Sequence, residues 1–490
     1  MEFEPNKTPY AYCSAANNPF TQESLEVRVP QIMDEIVNTV KRELIQDQEL
    51  GNAARVEEGN KIVQELMELR EEMKRNEVLK PLAKDSIGDV EEYNQYGENY
   101  FKGERWFETP FIWWEPYLYR RIAGIFNRAV TYKDFDYFEH QKKKTFVASA
   151  QAVITLGGRA YDCVEECKVE NIGEQQVQGL ALQDEMAKRR LVGFLEVLQT
   201  SLWGNQTDLS MFPDLKSGDL EKLQAKLLAS GNNGGGAAKD DDNINKNLIS
   251  NDSLKIHQIF ERINSRNEAN GTNGGVKRID IVLDNSGFEL FNDLIFANWA
   301  VELGYATEVV FHGKRIPWYV SDVTRADFEW TLECCSNADF FSGNSQDILK
   351  LIKMGQRWRD QYYKTGVWRF EDDLFWTGPY PTKYITKYAP ELWKKISAAS
   401  DMLLFKGDLN YRKLVSDLKW PEDTPFETAI GKSISTAPGV PAIVALRTLK
   451  ADTIVGLSSG LSARLDSEDP GWKHKGKYGV IQLGAGKFRD

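Results

Sequence analysis

Arg278-Ile-Asp-Ile-Val-Leu283 runs straight into Asp284-Asn-Ser-Gly-Phe-Glu-Leu-Phe-Asn-Asp293, and this junction decides the fold. The first six residues form a β-branched, mostly apolar run of strand length. From about Phe288 to Leu303 the pattern turns helical. The same texture recurs downstream. Thr307-Glu-Val-Val-Phe-His312, Trp318-Tyr-Val-Ser321, Asp401-Met-Leu-Leu-Phe405 and Pro441-Ala-Ile-Val-Ala-Leu446 read as strands, with Thr453-Ile-Val-Gly-Leu457 as a further one. Helical stretches lie between them, one through Cys334 and another around residues 346–364. Strands alternating with helices predict an α/β fold whose sheet is mostly parallel and covered on both faces.

Upstream of residue 276 the texture differs. From residue 22 to about 80 the chain reads as charged amphipathic helix. Val27, Val29, Ile32, Ile36 and Val40, then Ile62, Val63, Leu66 and Leu69, recur near helical spacing. The Glu/Lys-rich faces between them read as solvated. The block Trp106-Phe-Glu-Thr-Pro-Phe-Ile-Trp-Trp-Glu-Pro-Tyr-Leu-Tyr-Arg-Arg-Ile122 carries more aromatic rings than a surface helix needs. It is either a helix packed at a domain junction or the wall of a pocket. Residues 146–202 are helical in pattern again, so the expectation is an all-helical domain over 1–200 and an α/β domain over 201–490. Two Asn/Gly-rich stretches, about 230–252 and 265–276, read as flexible insertions. Gly431-Lys-Ser433 looks like the end of a Walker motif, but Phe426 stands where the first glycine is required.

The 490 residues carry a net charge of −12, with 41% hydrophobic and 27% charged side chains. That acidic balance offers no basic face for a phosphate backbone, which argues against nucleic acid. No run of 18 apolar residues exists to cross a membrane. The opening Met1-Glu-Phe-Glu-Pro5 lacks the basic start and apolar core of a secretion signal. The five cysteines, Cys13, Cys163, Cys167, Cys334 and Cys335, form no C-x-x-C pair and fit no zinc spacing. They read as free thiols in a reducing compartment, which places the protein in the cytoplasm, with the nucleus also open.

In an open α/β sheet, ligands bind beyond the carboxyl ends of the strands. Asp284 and Asn285 follow the first strand, Asp322 the third, Gly407-Asp-Leu-Asn-Tyr-Arg412 the fourth and Arg447-Thr-Leu-Lys450 the fifth. Alone, Asp284 or Asp322 reads equally well as a helix cap. Polar groups at four strand ends together read as a site. His140, His257, His312 and His474 form no H-x-H or H-E-x-x-H pair, which disfavours a zinc hydrolase. Asp and Asn oxygens suit a divalent ion such as Mg²⁺ or Mn²⁺. Beside Lys and Arg, such an ion serves phosphate chemistry: the cations balance the phosphoryl oxygens while the metal polarises them. A helix starting near Asp408 adds backbone donors for an anion. Asp284-Asn-Ser286 lacks the second aspartate of the Asp-x-Asp phosphatase signature. Direct attack by a metal-bound water is therefore expected, not a phospho-enzyme.

These residues sit in longer motifs. Asp284 to Asp293, Phe311-His-Gly-Lys-Arg-Ile-Pro-Trp-Tyr-Val-Ser-Asp322, Lys406-Gly-Asp-Leu-Asn-Tyr-Arg-Lys-Leu414 and Arg447-Thr-Leu-Lys450 resemble the metal-dependent damage-control phosphatases. The likeness is to their eukaryotic branch of sugar phosphate phosphatases, marked by Arg-Thr-x-Lys. Ser201-Leu-Trp-Gly-Asn-Gln-Thr-Asp-Leu-Ser210 and the aromatic block are similar too, so the likeness covers about residues 80–490 apart from the two insertions. It implies an N-terminal helical domain on a three-layer αβα domain. It also implies a phosphatase supported by Mn²⁺, Co²⁺ or Ni²⁺ that hydrolyses sugar phosphates such as fructose 1-phosphate and fructose 6-phosphate, in a metabolite-repair role.

By motif position, the resemblance implies Asp284, Asn285 and Asp322 as metal ligands. It implies Asp408, Leu409, Asn410, Tyr411, Arg412 and Lys450 as substrate contacts, with Asp284 and Lys450 catalytic. In chemical terms Arg412 and Lys450 hold the phosphate, while Asp408 and Asn410 hydrogen-bond sugar hydroxyls. Asn205, Glu115 and Arg447 are further candidates; for Asn205 and Glu115 packing is an equal reading. Gln206-Thr207 departs from the Lys-Cys expected in many relatives.

The alternative is S-adenosylmethionine-dependent methyl transfer to protein carboxylates, an activity also attributed to this branch. Such enzymes normally carry a glycine-rich turn after the first strand. Asp284-Asn-Ser-Gly287 offers one glycine, and Leu156-Gly-Gly-Arg159 sits in a helical stretch. A catalytically silent interaction protein is the third reading, against which the intact Asp/Asn/Asp and Lys/Arg set argues.

Overall fold

A computed structural model describes residues 4–168, 180–204, 247–265, 276–343 and 345–488. At its centre lies a sheet of β1 (Leu248–Asn251), β2 (Arg278–Val282), β3 (Glu308–His312), β4 (Trp368–Glu371), β5 (Ser400–Lys406), β6 (Ala442–Thr448) and β7 (Gly479–Gly484). The strand order is β1-β7-β6-β5-β2-β3-β4. Only the β6–β7 pair is antiparallel. From β2 the chain moves outward to β3 and β4, then returns to lay β5 on the other side of β2. The order therefore reverses between β2 and β5, where a crevice forms beyond the strand ends.

β2, β5 and β6 are buried along their whole length, which is why they read as apolar runs and not as alternation. Their side chains alternate between two cores. Val282, Leu403, Phe405, Ile443 and Ala445 pack in one, with the N-terminal helices from Leu25 to Phe126. Ile279, Ile281, Met402, Leu404 and Val444 pack in the other, against the helices Ala150–Glu166, Leu180–Trp203 and Phe288–Glu302. This is the expected three-layer αβα arrangement, and the described helices before residue 204 contribute to both outer layers. Among the described residues no helix is long and apolar enough to cross a membrane.

Several sequence expectations need correction. Trp318–Ser321 is a turn, because Tyr319 and Val320 have φ of 44° and 71°, a left-handed pair no strand accommodates. Thr453–Leu457 is irregular: the Gly456 and Leu457 amides donate to the Thr424 and Glu422 carbonyls, and β7 fills the place beside β6. β1, β4 and β7 were not expected. β1 lies inside the stretch read as a flexible insertion over about 230–252. The rest of that stretch up to residue 246, and 266–275 of the other, lie outside the described residues.

Candidate active site

The crevice brings together the ends of β2, β3, β5 and β6. Past β2, the Leu283 amide donates to the His312 carbonyl at 3.0 Å, and the Asp284 carbonyl accepts from the Val323 amide at 3.0 Å. A lone antiparallel bridge joins Asn285 to Asp322, so the two acidic segments lie side by side. Neither aspartate is a helix cap. Gly287 holds the N-cap of Phe288–Glu302, and Thr324 caps Arg325–Ser336 in a capping box with Asp327.

Asp284, Glu289 and Asp322 are all buried. Burial, then the charges of Glu289 and Asp322, push the Asp284 carboxyl well above its ordinary range. Burial lifts Asp322 to about 6, with Lys314 pulling the other way from 3.3 Å. Lys314 also donates to the Leu283 carbonyl at 2.9 Å. Glu289 lies 3.6 Å from Lys406, Asp284 has no ion pair among the described residues, and Asp322 Oδ2 makes no hydrogen bond beside its ion pair with Lys314. Asn285 Nδ2 donates to Asp284 Oδ2 and Glu289 Oε2, both at 2.8 Å, while its Oδ1 accepts from Ser321 Oγ. The amide oxygen is therefore turned toward the Ser321–Asp322 turn. Among the described residues no three His, Cys, Asp or Glu form a metal cage by themselves. Two carboxylates and an oriented amide oxygen still fit a hard divalent ion.

β5 shapes this centre from its other side. Gly407 has φ +82°, and a Cβ there would lie 1.9 Å from Asp284 Oδ2. Only glycine lets that turn and that carboxylate coexist. The preceding Lys406 donates to Asp293 Oδ1 at 2.7 Å and to Ser201 Oγ at 2.9 Å. This buried knot ties the helices Phe288–Glu302 and Leu180–Trp203 to the end of β5.

The β5–β6 half is built from closed pairs. Asp408 accepts from Arg447 Nε at 2.7 Å and from the Lys450 amide at 3.0 Å. Burial opposes its charge, but Arg447 and Arg412 hold it below the usual carboxylate range. Arg447 lies 4.3 Å over the Tyr411 ring, whose hydroxyl donates to Gln482 on β7 at 2.8 Å. Arg412 sits between Glu115 and Asp417, donating to each at 3.0 Å, and 3.7 Å over Phe111. Asn410 Nδ2 donates to the carbonyls of Leu283 and Lys406 at 3.1 and 2.8 Å, bracing the helix Gly407–Leu414 against β2. Leu409 is buried beside it. The Lys450 ammonium has no partner among the described residues, and its charge acts on Asp284.

Asp284, Asn285, Asp322 and Lys450 thus come together, with Asp408, Arg412, Arg447 and Tyr411 in a brace beside them. Glu115 reaches this brace through Arg412. Asn205 lies outside the described residues. Sequence reasoning missed Glu289, Lys314, Lys406 and Lys413. Applying the strand-end rule to β3 finds Lys314, and Glu289 lies one helical turn past Asn285. Lys413 donates to the Trp376 and Gly378 carbonyls at 3.2 and 2.9 Å; burial and the Lys314 charge bring its amine down to about 7. A cavity of about 490 Å³ opens elsewhere, between the helices Ala53–Lys74 and Phe111–Asn127. On its wall Glu72, Lys80, Arg120 and Arg121 are engaged by ion pairs.

The family model of the damage-control phosphatase ARMT1-like domain matches residues 24–465, which include all the polar strand ends. The damage-control phosphatase ARMT1 of Mus musculus is 32% identical over 471 residues, covering 95% of this chain and 96% of that protein. Its namesake from Homo sapiens is 33% identical over 471 residues, covering 94% and 96%. A solved DUF89 family protein from Pyrococcus horikoshii aligns at 15% identity and a TM-score of 0.27, over 70% of this chain and 98% of that one. That last likeness is too slight to carry weight. On the breadth of the sequence matches, this chain belongs to the ARMT1-like damage-control phosphatase family and is a phosphatase.

Proposed function

We propose that the protein is a divalent-metal-dependent phosphomonoesterase acting on small sugar phosphates in metabolite repair. One observation carries this reading. Asp284, Glu289 and Asp322 lie buried together; Asp322 pairs with Lys314 and Glu289 with Lys406, while Asp284 has no ion pair among the described residues. Buried charge of one sign is destabilising unless a cation joins it. Asp284, Asn285 and Asp322 would hold that ion, with Glu289 orienting the amide. When bound, a divalent ion offsets phosphoryl charge and makes water a better nucleophile at neutral pH. Mn²⁺, Co²⁺, Ni²⁺ and Mg²⁺ all accept such oxygen donors.

The chain's own groups supply the rest. Lys450, whose ammonium has no partner among the described residues, meets the phosphoryl oxygens. Asp408, kept anionic by Arg447, accepts hydrogen bonds from sugar hydroxyls. Tyr411, Arg412 and Asn410 hold the helix Gly407–Leu414 rigid through Gln482, Glu115 and the β2 carbonyl. A small phosphate ester rich in hydroxyls, such as fructose 1-phosphate or fructose 6-phosphate, suits that combination. Methyl transfer gains no support, since Leu156–Arg159 lies within the helix Ala150–Glu166 and not after a strand.

Phosphate release from fructose 1-phosphate by metal-stripped protein is expected only after Mn²⁺ is restored, and not from Asp284→Ala. Release at the wild-type rate by that variant, or release that ignores metal, would remove this centre.

A further inference from the structure

The N-terminal segment straps across the substrate edge. The Cys13 amide donates to the Asp417 carbonyl at 3.1 Å, the Phe111 amide to the Cys13 carbonyl at 2.8 Å, and the Lys419 amide to the Ala11 carbonyl at 2.9 Å. Phe20 then stacks on His474, ring centroids 4.6 Å apart. The helix that follows is irregular. Between Pro19–Glu23 and Val29–Glu49 lies a π-helical turn, Ser24–Arg28. Such turns rotate the residues around them and concentrate at functional sites. Arg28 ends this one.

The Arg28 side chain is exposed to solvent, yet its electrostatic neighbours are Glu115, Tyr119, Tyr319 and Arg412. No hydrogen bond or ion pair holds it among the described residues. Arg412, by contrast, is closed off by Glu115 and Asp417. The rings of Tyr119 and Tyr319 stack 4.5 Å apart and both are buried; the Tyr319 hydroxyl faces the Glu115 carboxylate, while the Tyr119 hydroxyl has no hydrogen-bond partner among the described residues. The Tyr119 hydroxyl feels the charges of both Arg28 and Asp322, so one wall runs from Arg28 to the acidic centre. Tyr319 is held against Tyr119 by left-handed backbone at 319 and 320, which costs roughly 1–3 kcal/mol per residue. Strain of that kind, beside the open Tyr119 hydroxyl and the unpaired Arg28, is what the wall of a ligand site requires.

We infer that Arg28, Tyr119 and Tyr319 form a second wall of the substrate site and bind the hydroxyl-bearing organic part of a polyol phosphate, which makes Arg28 a specificity-determining residue. A polyol offers both donors and acceptors, so it satisfies the Tyr119 hydroxyl and the Arg28 guanidinium together and adds to the Tyr319–Glu115 pair beside them. An aryl ester leaves them unpaired, and sites built to bond hydroxyls discriminate against analogues that lack them. The inference rests on the phosphatase reading above and names what that site selects.

The test is the ratio of kcat/KM for fructose 1-phosphate to that for p-nitrophenyl phosphate, measured on Mn²⁺-loaded protein. Arg28→Ala and Tyr119→Phe should each lower this ratio about tenfold, chiefly through KM for the sugar phosphate. Arg28→Lys should recover part of the loss, and Mn²⁺ affinity and Tm should stay at wild-type values in Arg28→Ala. An unchanged ratio in an enzyme that does hydrolyse fructose 1-phosphate would overturn this inference alone. A wild type that cleaves only the aryl ester would overturn the sugar-phosphate reading and this inference with it. Silence on both esters with every divalent metal would remove the catalytic centre itself, and the proposed wall with it.

Discussion

At the ends of β2 and β3, Asp284, Glu289 and Asp322 crowd together, only Asp322 and Glu289 have a lysine partner, and burial drives Asp284 and Asp322 upward. At the ends of β5 and β6, Asp408 and Arg447 pair, Arg412 lies between two carboxylates, and Asp408 is held low. The two halves are neighbours in one crevice, yet they manage charge in opposite ways. The first half is unfinished as protein alone and gains from a bound cation. The second keeps its geometry with nothing bound, which is what a preorganised substrate cradle requires.

The sharpest way to break this contrast is to remove one acidic charge. Asp284→Asn should drop phosphate release to background while raising the Tm of the metal-free protein, because it relieves repulsion. A lower metal-free Tm would mean the carboxylates are not in conflict. On the other half, Asp408→Ala leaves Arg447 buried without its carboxylate and should lower stability by about 3–5 kcal/mol in urea titrations. A loss below about 1 kcal/mol would mean the surrounding carbonyls suffice for Arg447. Between the halves, Glu289→Ala frees the Asn285 amide to flip and should weaken Mn²⁺ binding about 10- to 100-fold by calorimetry. Unchanged affinity would remove Glu289 as a positioning residue. Lys450→Ala should raise KM for fructose 1-phosphate about tenfold, the worth of one charge-assisted contact; an unchanged KM takes it out of the phosphate pocket.

The smallest effect concerns Lys413. Its folded amine sits at about 7 against an ordinary 10.5, so between those values the unfolded chain binds more protons. Its contribution to stability therefore rises with pH over that window. In Lys413→Met this slope disappears, and the stability difference, variant minus wild type, should fall between pH 7 and pH 9. A flat difference in thermal melts would mean the amine stays charged where it is.

Much of this was legible in the sequence, for identifiable reasons. β5 and β6 are buried on both faces and announce themselves as apolar runs. Asp284 and Asn285 follow β2 directly, so strand and ligand candidates read as one word. β4 and β1 are four residues each, and β1 reads Leu248-Ile-Ser-Asn251, too short and polar to stand out. β7 was hidden by its flanking glycines. Trp318–Ser321 misleads because aromatic and β-branched residues favour strands, while the chain there closes a left-handed turn through the Asp322 amide and the Trp318 carbonyl. Glu115 and Arg412 are 297 positions apart, and no local pattern joins them. Arg28 is invisible for a different reason: its neighbours Glu115, Tyr319 and Arg412 are far away in the chain.

The sheet also has a consequence for synthesis. Among the described residues β1 stands at an edge with β7 as its one strand neighbour. The Leu483 amide that caps this corner donates to Asp252, 231 positions earlier. At roughly 5–20 residues per second, a ribosome leaves β1 unpaired for on the order of tens of seconds. Until then β6 also has a bare edge, facing whatever else is folding nearby. Closing the sheet is thus a late act of assembly, and nascent chains halted before residue 479 should be the ones that engage chaperones.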